Sequence, residues 1–207
     1  KKILTQIDGM IVRSGTKVDE ELINNAINLQ IIGRAGVGVD NIDVRYATRK
    51  GIVVINTPDV NTISAAEHTI ALLLALSRNL HIAHNNLIKG HWGRHELIGT
   101  ELKNKILGVI GLGKIGREVI SRCQSFGMKI IGFDPYVDGE TFENKEIKIL
   151  DLDSVIKSAD YITLHLPLNS STKNLFDYSI LNNMKPTARI INVARGGIIN
   201  EADLAKV

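Results

Sequence analysis

The chain has 207 residues, of which 44% are hydrophobic and 23% charged, with a net charge of +3. This is the composition of an ordinary globular chain with room for one large or two small cores. The longest fully apolar run, Ile70–Leu76, is far too short to span a bilayer, and the charge is too small and scattered for a nucleic-acid surface, although it suits an anionic ligand. A single cysteine, Cys123, excludes an internal disulfide and fits a reducing, cytoplasmic setting.

The chain begins at Lys1 without a Met and stops at Val207 just inside a helix signal at Asn200-Glu201, so it reads as a piece of a longer protein. Asp8–Ser14 has the pattern of a buried strand with a polar tip, Arg13-Ser14-Gly15-Thr16. Asp19 is placed to cap a short helix. Leu29–Gly33 is the next strand and runs into Arg34–Asp40. Val44–Lys50 reads as a short helix stopped by Gly51, and Ile52–Ile55 as a strand. Pro58 ends regular structure, which puts a domain boundary near Asn56–Asp59. A single long helix is expected from Ser64 to Lys89, apolar around much of its girth at Ile70, Leu73, Leu74 and Leu76, and therefore largely buried.

The next stretch organises the chain. Ile106–Ile110 is a short apolar strand, followed by Gly111, Gly113 and Gly116 in the spacing G-x-G-x-x-G. Lys114–Phe126 reads as a helix closed by Gly127. Met128–Phe133 is a second strand ending in Asp134, eighteen positions after Gly116. Gly111 permits a tight turn, Gly113 lets a pyrophosphate approach the backbone, and Gly116 lets the helix lie close on the sheet. The free N–H groups and positive dipole end of the helix would receive the phosphates. Asp134 would bind the ribose hydroxyls and repel a 2′-phosphate, favouring NAD over NADP.

Val137–Glu146 is polar and turn-like. Ile147–Leu150 is a strand, Asp151 or Asp153 caps a helix to Ser158, and Tyr161–His165 is a strand ended by Leu166-Pro167. Tyr178–Asn183 is a short helix, and Ala188–Val193 a strand ending at Ala194-Arg195-Gly196-Gly197. Alternating strands and helices argue for an α/β, Rossmann-type doubly wound parallel sheet. Ligands of such sheets bind beyond the carboxyl ends of the strands, where Arg195 offers an always-charged planar fork suited to a carboxylate.

The segments VIGLGKIGREV, GFDP, LHLPL and INVARGGIIN, with GRAGVGVDNID and NTPDVNTISAAEHT upstream, resemble the D-isomer-specific 2-hydroxyacid dehydrogenases from about Asp8 to the last residue. The resemblance implies a partial, flavodoxin-like substrate-binding domain over residues 1–57 and an NAD-binding domain over 58–207, truncated at its C-terminal end. It implies that Lys114 and Ile115, with Gly111, Gly113 and Gly116, hold the pyrophosphate and that Asp134 holds the adenosine ribose. Leu166 and Pro167 would border the cofactor, and Val193, Ala194 and Arg195 the nicotinamide. Val37 stands where some relatives have a threonine near the nicotinamide, so its contact would be by packing or backbone. Arg195 would be the catalytic arginine that grips the carboxylate and C2 oxygen. Arg13, Ser14 and Asn61 would bind the carboxylate and phosphate end of a phosphorylated 2-hydroxy acid.

The implied activity is NAD-dependent oxidation of a D-2-hydroxy acid, with 3-phosphoglycerate first and 3-phosphohydroxypyruvate as its product at the entry to serine biosynthesis. The family's catalytic glutamate and histidine fall after Val207. The implied assembly is a homodimer or higher homo-oligomer, paired through the long helix, with no nucleic-acid or membrane partner. Other D-2-hydroxy acids and an NAD-responsive corepressor remain as alternatives, and a methyltransferase is disfavoured by the ARGG strand. Among the histidines, His81 and His84 have an i,i+3 spacing but no third ligand, so no metal is expected. His68 is expected on a polar helix face and His165 in a structural role at a strand tip. Trp92, with Arg94 and His95, is read either as a cover for the domain junction or as a surface turn.

Overall fold

In the computed structural model of the chain, residues 3–93, 95, 97–137 and 147–207 are described. Arg94 and the greater part of the turn-like 137–146 stretch lie outside them. The chain divides into two compact units, Lys1–Asn61 and Thr62–Val207, a division four residues beyond the one read from the sequence.

The first unit holds three parallel strands, β1 (Gly9–Val12), β2 (Ile31–Arg34) and β3 (Val53–Asn56), in spatial order β1-β2-β3. Helices α1 (Glu20–Asn25) and α2 (Val44–Arg49) connect them. Asp19 starts α1 by accepting the Leu22 N–H at 3.1 Å, and Asp43 starts α2 by accepting that of Tyr46 at 2.8 Å. Side chains alternate across a strand, and only one face of this sheet is covered. Val12 and Ile32 pack with Ile23, Ala26 and Ala47 in the core, whereas Ile11, Val53 and Ile55 are exposed. The buried strand expected at Asp8–Ser14 is therefore buried on one face only within its own unit.

The second unit opens with helices rather than strands. The single helix expected over Ser64–Lys89 is two, α3 (Thr62–Ser77) and α4 (Leu80–Ile88). They are separated at Asn79, which takes the left-handed conformation (φ 53°) and whose side chain donates to the Ile98 carbonyl at 3.2 Å. Asparagine tolerates this conformation better than most residues, so it can end one helix and begin another. Burial corrects the reading too. α3 buries one stripe, including Ala66, Ile70 and Leu73, and α4 buries no residue at all.

Five parallel strands follow: β4 (Ile106–Ile110), β5 (Lys129–Phe133), β6 (Ile147–Ile149), β7 (Tyr161–Leu164) and β8 (Arg189–Asn192). The helices are α5 (Lys114–Ser125), α6 (Leu152–Ser158), α7 (Tyr178–Asn182) and α8 (Glu201–Leu204). The sheet order is β6-β5-β4-β7-β8. Strands added outward in both directions from β4 make the doubly wound arrangement, whose order reverses between β4 and β7. Both faces are covered. Leu107 and Val109 of β4 pack with α3 and α5, while Ile110, Ile162 and Leu164 pack with α6, Phe176 and Ile198.

A polar chain ties α3 to the starts of two strands. The Ser77 hydroxyl lies 2.6 Å from the Leu73 carbonyl and 2.9 Å from the Tyr161 hydroxyl, to which Arg189 Nη1 donates at 2.6 Å. Serine has one proton and gives it to the carbonyl, so Tyr161 donates to Ser77 and accepts from Arg189. Every hydroxyl of this buried group is thus satisfied.

Candidate cofactor site

The order reversal between β4 and β7 brings the tips of β4, β5 and β7 together around the glycine turn. Gly111 has φ +95°, and a Cβ there would stand 2.6 Å from the His165 carbonyl oxygen at the end of β7. Both facts require glycine. A Cβ on Gly116 would strike the Gly111 carbonyl oxygen, which is how closely α5 lies on the turn that feeds it.

Gly113 differs from these two. It is the N-cap of α5, with no side-chain cap, and a Cβ there would meet nothing within 4 Å. The first turn of α5 carries no acidic residue. The positive end of a 12-residue helix therefore lies beside a residue without a side chain, and the space a Cβ would take there is open. That space and polarity fit a pyrophosphate, and Lys114, exposed at the first helical position, adds a positive charge beside it. Ile115 is half-buried one residue further on.

Asp134 follows β5. Its Oδ2 accepts the Leu112 N–H at 2.8 Å and its Oδ1 the Tyr136 N–H at 2.9 Å. A carboxylate offers about four acceptor positions, so both oxygens keep capacity for a pair of ribose hydroxyls. The helix start, the unfilled volume at Gly113 and the acid at the next strand tip together fit an NAD-type dinucleotide.

At the end of β7, Leu166 is half-buried and Pro167 exposed. His165 Nε2 lies 3.1 Å from the hydroxyl of fully buried Thr163, and burial pushes its pKa down to about 4. Neutral across the physiological range, His165 is a weak proton acceptor. Cys123, packed inside α5, is likewise inert, with burial raising its thiol to about 12.

The tip of β8 is organised by Asn192. Its Oδ1 accepts the Ala194 N–H at 3.0 Å and its Nδ2 donates to the Arg195 carbonyl at 2.8 Å, while Arg195 Nη1 donates to the Ala194 carbonyl at 2.8 Å. Val193, Ala194 and Arg195 line a groove of about 650 Å³ that also takes in His68 from α3 and Glu201 from α8. β8 ends the sheet order, so this groove lies at the C-terminal end of an edge strand.

The expected substrate residues belong to the other unit. Arg13 and Ser14 are exposed directly after β1, in a loop held by Asn41, whose Nδ2 donates to the carbonyls of Arg13 at 2.9 Å and Thr16 at 2.6 Å. Val37 is half-buried beyond β2, and its carbonyl accepts from Asn56 Nδ2 at 2.6 Å. Asn61 is the last residue of that unit. Among the histidines, His68, His81 and His84 are exposed, and Trp92 is 75% exposed. Sequence reading passed over Leu112, Thr163, Asn192 and Asn41. For Asn192 there was a signal, since an asparagine two residues before a turn at a strand end commonly bonds its own backbone. Leu112 and Asn41 depend on distant partners, and Thr163 pairs with His165 two residues on.

A family model for the D-isomer specific 2-hydroxyacid dehydrogenase NAD binding domain matches residues 70–207. The chain belongs to this family. Among curated relatives it is 48% identical over 202 residues to a D-3-phosphoglycerate dehydrogenase of Synechocystis, covering 98% of the chain and 36% of that protein. It is 46% identical over 203 residues to the Homo sapiens D-3-phosphoglycerate dehydrogenase, covering 98% of the chain and 38% of that protein. The chain therefore spans little more than a third of these relatives. A D-lactate dehydrogenase from Aquifex aeolicus complexed with NAD and lactic acid superposes with a TM-score of 0.92 at 32% identity, over 99% of the chain and 62% of that structure. A formate dehydrogenase from Staphylococcus aureus in complex with NAD gives 0.91 at 33%, over the same shares. The cradle at Gly111–Gly116 thus lies in a family-defining NAD-binding domain.

Proposed function

We propose that this member of the 2-hydroxyacid dehydrogenase family is part of a D-3-phosphoglycerate dehydrogenase, oxidising 3-phosphoglycerate to 3-phosphohydroxypyruvate for serine biosynthesis. What carries the substrate choice is the 46–48% identity to proteins of that name across 98% of the chain, against 32–33% to the lactate and formate enzymes.

NAD bound at the cradle would take up a hydride from C2 of the hydroxy acid. The chain's own part is binding and polarisation. The start of α5 holds the pyrophosphate, with Gly111, Gly113, Lys114, Ile115 and Gly116 around it, and Asp134 holds the adenosine ribose. Leu166, Pro167, Val193 and Ala194 line the rest of the cofactor path, and Val37 packs at its nicotinamide end. Arg195 grips the substrate carboxylate and stabilises the oxygen as charge develops on it. Asn192 fixes the Arg195 backbone, so little reorganisation is needed. Arg13, Ser14 and Asn61 receive the carboxylate and phosphate end.

The proton has to go elsewhere. Arginine is never deprotonated at neutral pH, and His165 is held neutral and weakly basic. The family resemblance assigns proton transfer to a histidine–glutamate pair after the Arg195 strand, outside residues 1–207. The chain alone should therefore bind NADH and turn over 3-phosphoglycerate negligibly. A pairing surface for a homodimer is supplied by α4, where Leu80, Ile82, Leu87 and Ile88 are exposed; light scattering at micromolar concentration tests it. We place the protein in the cytoplasm, in keeping with its single buried thiol.

The decisive experiment is NAD reduction by the whole protein with 3-phosphoglycerate, D-lactate and D-malate as competing substrates. The reading requires preference for 3-phosphoglycerate and loss of at least about a hundredfold in rate for Arg195→Lys, since an ammonium cannot form the two-pronged grip. Equal use of D-lactate would overturn the substrate assignment, and NAD binding without turnover of any acid would favour a corepressor role.

A further inference from the structure

The cofactor cradle is a turn of three residues, Gly111-Leu112-Gly113, and two of these have no side chain with which to hold their own conformation. Leu112 carries the burden. Its side chain is fully buried and fills the space over Gly132 of β5, where a Cβ would come within 2.9 Å of Leu112 Cδ2. Its N–H is held by Asp134 at 2.8 Å. Its carbonyl is held from the opposite side by Arg117, whose Nε donates to it at 2.9 Å from the first turn of α5. The Leu112 carbonyl belongs to the peptide that carries the N–H of Gly113, the N-cap of α5, beside which the space is open. Fixing that oxygen fixes the direction of that N–H.

We propose that Arg117 is a positioning residue of the cofactor site: by clamping the Leu112 carbonyl it orients the Gly113 peptide toward the pyrophosphate. The proposal rests on the reading of the turn as a dinucleotide cradle. A peptide that leads into a glycine turns more freely than one between two residues with side chains, and the entropy lost in fixing it on binding weakens affinity. A guanidinium bound beforehand removes that loss and adds a charge-assisted hydrogen bond. Asp134 and Arg117 thus form a pair around one residue, and Asp134 serves two purposes, as ribose acceptor and as strut for the turn.

The test measures NADH, ADP-ribose and adenosine binding by residues 1–207 with Arg117→Met and Arg117→Lys. Methionine keeps the aliphatic stem without a donor, and lysine keeps the charge without the Nε geometry. Both variants are expected to bind NADH and ADP-ribose at least about tenfold more weakly, the lower end of what one charge-assisted hydrogen bond is worth. Adenosine, which lacks the pyrophosphate, should change less than about twofold. Restoration of parental ADP-ribose affinity by lysine would show that charge attraction is the cause and overturn the clamp. Equal losses for adenosine and ADP-ribose would reduce Arg117 to a general structural role. If the unsubstituted chain binds none of the three, the cradle reading itself fails, an outcome distinct from any effect of Arg117.

Discussion

Two glycine-rich segments lie at the ends of parallel strands in this chain, GRAGVG at the end of β2 and GLGKIG after β4, and only the second has the open geometry that phosphates need. In the first, the space a ligand would need is filled by the protein itself. Gly36 (φ +150°) faces the Arg34 guanidinium, which a Cβ would strike. The helix that follows, α2, has only six residues, and the Asp43 carboxylate already occupies its start. In the second turn, a Cβ at Gly113 would enter empty space, the helix has 12 residues, and no side chain caps it. The next strand tip decides the rest. β3 ends in Asn56, whose side chain is engaged by the Val37 carbonyl, whereas β5 is followed by the carboxylate of Asp134. Glycine spacing alone marks a turn. An uncapped helix and an acid one strand away give it the features a dinucleotide site needs.

The largest effect should come from closing the second turn. We predict that Gly116→Val, which drives a branched side chain into the Gly111 carbonyl, costs about 3 kcal/mol or more by overpacking and abolishes ADP-ribose binding. Thermal unfolding and a binding titration measure both. A variant that binds normally would mean that α5 need not lie close on the turn.

Much of this contrast was legible in sequence because it is local. The glycine spacing, the helix with its apolar stripe, and Asp134 all fall within thirty residues of one another, and the alternation of strands and helices indicates the doubly wound sheet. What could not be read depends on tertiary partners. The break between α3 and α4 sits at Asn79, which an apolar pattern running through it conceals, and which is held by Ile98. The Leu112 clamp needs Asp134, 22 positions away, and the loop carrying Arg13 needs Asn41, 28 positions away. The exposed face of the first sheet escaped notice because isoleucine and valine pattern identically whether or not something covers them.

The walls of the two turns also differ in charge behaviour. The first is walled by the Arg34 guanidinium, whereas His165, whose carbonyl abuts Gly111, is half-buried and neutral, its pKa pushed down to about 4 by desolvation. In the unfolded chain the same ring titrates near 6.5. Above that pH neither state takes up a proton and burial carries no penalty on this account. Below it, the unfolded chain gains a proton that the native state refuses, so stability falls until pH 4, where the folded ring also titrates. A shift of this size amounts to about 3 kcal/mol across the window. We predict that His165→Gln flattens the loss of stability between pH 6.5 and 4, as followed by urea unfolding. An unchanged slope would assign the acid sensitivity to the carboxylates instead.

Removing the acid should convert the second turn toward the first. Asp134→Ala takes away the proposed ribose acceptor and the strut on the Leu112 N–H together, so NADH affinity should fall about tenfold. Repulsion of the 2′-phosphate disappears at the same time, and the preference for NADH over NADPH should collapse toward parity. A preserved preference would place ribose recognition on some other residue.

The smallest effect belongs to the first turn and tests the contrast most directly. Gly36→Ala pushes on Arg34, but the obstacle is the far end of a flexible side chain that can swing aside. The backbone is less forgiving, since φ +150° is strained for a residue with a Cβ, at a cost of about 1–2 kcal/mol. The first unit should therefore unfold at lower temperature. NADH affinity can drop a few-fold through the neighbouring Val37, which we place at the nicotinamide end. ADP-ribose has no nicotinamide, and if the phosphates are held only by the second turn its affinity should stay within about twofold of the parent, since no contact in that cradle is lost. A loss of ADP-ribose binding comparable to that of Asp134→Ala would mean that both glycine turns serve the phosphates, and the distinction drawn from Gly36 and Gly113 would be lost.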